Sequence, residues 1–340
     1  MMQLSQCLLA GVVGLSLSAC GGGDTSFVTD YQVSGDITGL TASGLKLKLS
    51  NADTGAQLDE ITVSSGSANF NFNERLATGT EFHVSLSAQP TGLTCILGNT
   101  WGSIAGGNNT QAQVKCAAKT ASTLTGTYML GRTVVTFYAD GSYVIASHNG
   151  AAGDLDNTVE YGIYSWNSTT NAFSTVLRMV DTDTNDAGLS GFTGTLTQTS
   201  ATSLSLLADG ETTADVATAV TGTSGSLTGS WAMPDSQDFV VFLSDGTYML
   251  TTTDELLSSS ASSGAGAWNG FEDGQYTVAS GSITSNLSAG AAVSSTLFAL
   301  DANGDAGMDG DTFGFSVSGD TLTVTPPGES AVTLTRITTN

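Results

Sequence analysis

The sequence predicts an all-β chain, a small N-terminal sandwich followed by two tandem antiparallel β-domains, each a small barrel or a sandwich. Three observations predict it. Short stretches alternate apolar and polar residues with a period of two and end at Gly, Asn or Asp, as half-buried strands do. Gly, Ser, Thr, Ala and Asn dominate while only 11% of the 340 residues are charged, which leaves little material for long amphipathic helices. The third is an internal repeat. Leu124-Thr125-Gly126-Thr127-Tyr128 matches Leu227-Thr228-Gly229-Ser230-Trp231, and Phe137 with Asp140-Gly141-Ser142-Tyr143 matches Phe242 with Asp245-Gly246-Thr247-Tyr248. Further along, Glu160, Gly162 and Tyr164 correspond in order to Glu272, Gly274 and Tyr276.

The first segment concerns address rather than fold. Leu4 to Leu17 is apolar yet shorter than the ~20 residues that span a bilayer, so it reads as a cleavable signal. Leu17, Ser18, Ala19 and Cys20, followed by Gly21, Gly22, Gly23 and Asp24, resemble the lipobox of bacterial lipoproteins. That resemblance implies cleavage before Cys20 and diacylglycerol on its thiol, with palmitate-type acylation. Residues 1–19 are then a signal peptide and residues 20–30 a lipidated cysteine with a glycine tether. An ordinary cleavable signal with an incidental cysteine is the alternative. The resemblance places the protein in the cell envelope with the membrane as a partner. Gly21, rather than Asp, points to the outer membrane, the periplasmic or surface face being open.

Residues 31–118 form the sandwich. Alternation is clear in Leu45-Lys46-Leu47-Lys48-Leu49, in Ala68-Asn69-Phe70-Asn71-Phe72 and in Phe82-His83-Val84-Ser85-Leu86. With Cys7 in the signal and Cys20 lipidated, Cys95 and Cys116 remain as a pair, which an oxidising compartment joins as a disulfide. A two-cysteine metal site, with His83 as the one nearby imidazole, is the rival. The stretch Pro90-Thr91-Gly92-Leu93-Thr94-Cys95, with Cys116 closing a later strand, resembles the immunoglobulin-like module of proteobacterial surface lipoproteins, which implies a spacer or presentation role.

Residues 119–225 and 226–340 are the two copies. Asp140-Gly141 and Asp245-Gly246 sit between strand residues, where a tight hairpin needs positive φ; further hairpins are expected at Asp209-Gly210 and Pro327-Gly328. Turn spacing gives about eight strands per copy, enough for a small closed barrel or a two-sheet sandwich. The Gly-x-Tyr and Gly-x-Trp openings are similar to the Gly-x-Trp of lipocalins, whose ring packs across the closed barrel end. The whole repeat resembles lipocalin-like domains of uncharacterised bacterial lipoproteins, which implies architecture rather than activity.

Candidate chemistry is sparse. Asp181, Asp183 and Asn185 in one copy, and Asp301, Asn303, Asp305 and Asp309 in the other, place oxygen side chains at alternate loop positions, as a weakly held Ca²⁺ requires. Asx-rich turns account for the same residues. Glu160 and Glu272 read equally as inward carboxylates and as solvated acids at strand ends, and Trp268 as a contact for a protein or glycan partner. Catalysis is not expected. Only His83 and His148 exist, Gly-x-Ser-x-Gly is absent, and no cluster of imidazoles and thiolates offers a zinc site. No cofactor is implied beyond weak calcium. Charge is lopsided: 5 Lys+Arg against 8 Asp+Glu through residue 119, then 3 against 23. Such a surface repels nucleic acid and anionic head groups. The leading expectation is an envelope lipoprotein acting through binding or adhesion. A carrier using the barrel interiors for a small apolar ligand is the alternative, and a carboxylate enzyme comes third.

Overall fold

The computed structural model describes residues 30–52, 54–131, 133–147, 158–181, 188–189, 191–233, 238–252, 270–287, 312–327 and 331–339. Its regular elements are all strands. The first eight are β1 (Tyr31–Thr38), β2 (Leu45–Asn51), β3 (Gln57–Val63), β4 (Asn69–Leu76), β5 (Glu81–Ala88), β6 (Leu93–Gly98), β7 (Trp101–Ser103) and β8 (Asn109–Ala118). They form two four-stranded sheets, ordered β4-β1-β8-β6 and β3-β2-β5-β7, the immunoglobulin-like sandwich. Alternation sorts its faces: Leu45, Leu47, Leu49, Phe70 and Phe72 enter one core while Lys46 and Lys48 look outward. Cys95 and Cys116 stand directly opposite in the β6–β8 ladder and are joined by a disulfide, buried in that core. His83 is stacked on Trp101 at 4.3 Å, and the disulfide removes the rival two-cysteine metal site.

The second group comprises β9 (Gly126–Leu130), β10 (Thr133–Phe137), β11 (Ser142–Ser147), β12 (Thr158–Trp166), β13 (Ala172–Asp181), β14 (Thr193–Ser200), β15 (Ser203–Ala208) and β16 (Asp215–Ala219). The third comprises β17 (Gly229–Ala232), β18 (Phe239–Phe242), β19 (Thr247–Thr252), β20 (Gly270–Ala279), β21 (Ser282–Leu287), β22 (Thr312–Ser318), β23 (Thr321–Thr325) and β24 (Val332–Arg336). Each group closes into an antiparallel barrel of eight consecutive strands, so the barrel form of the expectation holds over the sandwich form. The Asp-Gly hairpins turn with three loop residues. Tyr138 C=O accepts from Gly141 N–H, Leu243 C=O from Gly246 N–H, and both glycines have positive φ, 98° and 87°. Asp209-Gly210 turns between β15 and β16; Gly328 lies outside the described residues.

The two copies share register as well as turns. Tyr143 pairs with Gly162 and Tyr248 with Gly274; Ile145 pairs with Glu160 and Leu250 with Glu272. What the sequence did not announce is that the outer walls are partly apolar and covered. Val134, Val144, Tyr161 and Ile163 of the first barrel share one buried cluster with Phe239, Val241 and Met249 of the second and with Ile96 of the sandwich. Val134 and Phe239 are equivalent positions, as are Val144 and Met249. The barrels therefore meet through corresponding faces, as two subunits of a twofold dimer would. The sandwich docks on the first barrel: Thr94 Oγ1 donates to Asp140 C=O, and Lys115 Nζ to Arg178 C=O at 2.9 Å.

Candidate functional site

Each barrel is sealed at one end, and at the other its strands lead into segments that include residues outside the described part. The sealed end carries the Asp-Gly hairpin. In the second barrel Trp231 lies fully buried across it, its Nε1 donating to Leu227 C=O at 2.8 Å. The Arg336 guanidinium sits 4.0 Å over the indole and donates to the carbonyls of Thr228 at 2.8 Å and Ser226 at 2.6 Å. A cation on an aromatic face, with two donors on backbone carbonyls and its Nε donating to Asp320 Oδ1 at 3.0 Å, ties the first strand to the last. In the first barrel Tyr128 replaces the Trp, and Ala219 pairs with it where Arg336 pairs with Trp231. There Tyr164 closes the end, accepting from Leu124 N–H at 2.8 Å and donating to Leu124 C=O at 3.1 Å. Burial pushes the Tyr164 phenol far above its ordinary range.

Above this end the first barrel is filled by rings. Tyr164 and Phe173 stack with centroids 5.9 Å apart, and Phe137 stands edge-on to both at 5.2 and 6.0 Å. Phe192 leans on Phe173 at 5.8 Å, and Trp166 Nε1 donates to Leu196 C=O at 2.9 Å. Eight strands enclose an interior of about this capacity, enough for side chains or for one small ligand.

Towards the other end the chemistry changes. Glu160, at the opposite end of β12 from Trp166, points inward and is 0% exposed. Its Oε1 accepts from the Tyr143 hydroxyl and its Oε2 from Leu189 N–H at 2.9 Å. Two inward neighbours make this possible. Gly162 leaves the space that Tyr143 fills, since a Cβ there would lie 3.0 Å from the phenol oxygen. Leu189 enters the barrel core, where Thr175 Oγ1 donates to its carbonyl at 2.8 Å. Burial raises the Glu160 carboxyl to about 7, aided by the Asp181 charge and opposed by the hydrogen bonds it accepts and by Arg178. Burial, with the Glu160 charge beside it, also drives the Tyr143 hydroxyl far above its usual range. A half-ionised, desolvated carboxyl of this kind is a polar anchor in an apolar cup.

Of the two readings of Glu160, the inward one is therefore correct. Glu272 holds the same register, its side chain lying outside the described part of the molecule. Asp181 is ion-paired with Arg178 at 2.6 Å through one carboxylate oxygen. Asp183, Asn185, Asp301, Asn303, Asp305 and Asp309 lie outside the described residues, as do Cys20, His148 and Trp268. Among the described residues no three His, Cys, Asp or Glu gather as metal ligands would.

Leu189 was not singled out from sequence, although a signal existed. Asp186-Ala187-Gly188-Leu189-x-Gly191 is matched by Asp305-Ala306-Gly307-Met308-x-Gly310, each four residues before a threonine that begins the next strand. The oxygen-bearing residues beside Leu189 carry the stronger sequence signal. Comparison with protein-family models, with curated proteins and with solved structures returns no match for this chain.

Proposed function

We propose that this chain is a non-catalytic carrier of a small apolar ligand, lipid-anchored in the cell envelope through Cys20, with the sandwich as spacer and the barrels as binding units. One observation carries the carrier reading. Each barrel is closed, sealed at one end by Tyr128 and Tyr164 or by Trp231 and Arg336, and lined by apolar and aromatic residues, with a single buried carboxyl described towards the other end of the first barrel. Apolar enclosure with one orienting polar group is the usual composition of a small-molecule site.

The test is extraction. Protein purified from its own membranes should release a small apolar compound into organic solvent, detectable by mass spectrometry. The emptied protein should then bind an apolar naphthylamine fluorophore, and the extracted compound should displace it. Absence of both compound and fluorophore binding overturns the carrier reading. It would favour the adhesion reading, for which the ring packing around Phe137 and Phe173 is the supporting observation. Anchoring is tested separately: Cys20→Ala should abolish fatty-acid labelling and membrane retention.

A further inference from the structure

We propose that the cup around Leu189 is a ligand seat filled by the chain itself, and that its ligand is a branched aliphatic group carried on a secondary amide, which displaces Leu189. The proposal rests on the carrier reading and gives it a chemistry. Leu189 belongs to no strand. Cross-strand pairing between β13 and β14 begins at Thr193 opposite Ser174, and Leu189 is held instead by bonds to its own peptide groups. Its N–H goes to Glu160, while its C=O accepts from Thr175 Oγ1 and from Phe192 N–H at 2.9 Å. Its side chain is 7% exposed among the rings of the first barrel. The interior thus offers one acceptor and one side-chain donor matched to the two sides of a single amide-linked residue, above a cup that takes an isobutyl group.

Two features argue that the seat is built for more than its present occupant. A backbone N–H and a phenol, the two donors that Glu160 accepts from, are satisfied by neutral oxygens, whereas a fully buried carboxyl is an expensive acceptor to keep for them. The second barrel supplies the independent observation. Ser285 pairs with Tyr276 as Thr175 pairs with Tyr164, and Ile283, two residues before it on the same face, enters the second core. The Ser285 hydroxyl is fully buried and finds no hydrogen-bond partner among the described residues. A donor is therefore waiting inside the second barrel at the position where the first barrel grips an amide carbonyl.

The experiment is chemical rescue in the full-length protein. Leu189→Gly should lower the melting temperature by several degrees, since it empties an apolar cup. N-acetyl-L-leucinamide at millimolar concentration should restore much of that loss, and N-acetylglycinamide should not. Thr175→Val in the same background should weaken the rescue about 3- to 10-fold, the equivalent of one net hydrogen bond. In the unsubstituted protein the leucinamide should speed hydrogen exchange of the Leu189 amide at least about tenfold, because occupancy requires displacement. No rescue, or equal rescue by the glycinamide, overturns the seat; rescue without faster exchange in the unsubstituted protein overturns displacement and leaves a fixed stopper. If Leu189→Gly fails to fold, Leu189→Ala asks the same question with a smaller cavity. Fluorophore binding without rescue would sink the seat and leave the carrier reading standing.

Discussion

The two barrels carry the same strand order and much of the same register, although β12–β13 has two register shifts that β20–β21 lacks, and they fill their interiors differently. In the first, Phe173 stands opposite Gly194; in the second, Ile283 stands opposite Phe313. The ring has crossed to the neighbouring strand. Trp166, Leu196 and Ala217 of the first copy correspond to Val278, Phe315 and Leu334 of the second, where Val278 is 51% exposed and the other two residues are larger than their counterparts. Residue identity has changed at matched interior positions while both interiors remain buried apolar clusters, as close packing demands of a closed barrel. A Phe at 194 is barred in the first copy, because even a Cβ there would lie 2.2 Å from Leu207 C=O.

The largest test of this exchange is in the second barrel. Phe313→Ala should cost about 3–5 kcal/mol in denaturant unfolding, as large aromatic truncations do. Ile283→Phe alone should overpack and cost about 1–3 kcal/mol. Combined, they should lose at least about 1 kcal/mol less than the sum, because the new ring enters the space the old one left. Strict additivity would mean that the two positions do not share a cavity.

Glu160 provides the next largest effect, and its sign is set by the neutral form. Its carboxyl titrates at about 7 in the folded state against 4.5 when unfolded, so the folded state holds its proton longer. Its contribution to stability is fully present below pH 4.5, declines as pH rises towards 7, and is lost above that. The total is about 3 kcal/mol by linkage. Glu160→Gln stays neutral throughout, so the stability difference between variant and parent should move by about that amount in favour of Gln between pH 4.5 and 8. A difference independent of pH would show that Glu160 is solvated in solution.

Arg336 sharpens the contrast at the sealed ends. Arg336→Met removes the cation from Trp231, its bonds to the Ser226 and Thr228 carbonyls and its ion pair with Asp320, and should cost roughly 2–3 kcal/mol. The corresponding change in the first barrel, Ala219→Met, touches no such network and should cost under about 1.5 kcal/mol. Comparable losses would mean that the Arg336 network contributes little.

Much of this was legible in the sequence, for definite reasons. Strand alternation, Asp-Gly turns and the order of aligned motifs are local, so Leu45 to Leu49, Gly141 and Gly246 announce themselves. The Cys95–Cys116 bond followed from cysteine arithmetic. The covered outer walls were not legible, because Val134 or Phe239 on a strand looks the same whether it faces a core or a neighbouring barrel. Glu160 was ambiguous because a strand period fixes its face relative to Tyr164 but says nothing of what lies across the barrel. That Gly162 makes room for Tyr143 is a relation between strands, and periodicity within one strand does not contain it.

The smallest predicted effect is the most specific to the comparison. In the first barrel the hydroxyls of Thr127 and Thr136, directly opposite on β9 and β10, bond each other at 2.9 Å while buried. The second copy has Ser230 opposite Val241, and the Ser230 hydroxyl is buried with no partner. One member of a pair has been lost and the other kept. An unpaired buried hydroxyl is a standing cost, so Ser230→Ala should be neutral or stabilising by up to about 1 kcal/mol. Thr136→Val in the first barrel recreates the orphan and should cost about 1–2 kcal/mol. Restoring the pair is the stricter test: Val241→Thr should be tolerated with Ser230 present and should cost about 1 kcal/mol more in the Ser230→Ala background. Equal costs in the two backgrounds would mean that residues 230 and 241 do not reach each other, and that the copies differ here in geometry and not only in a side chain.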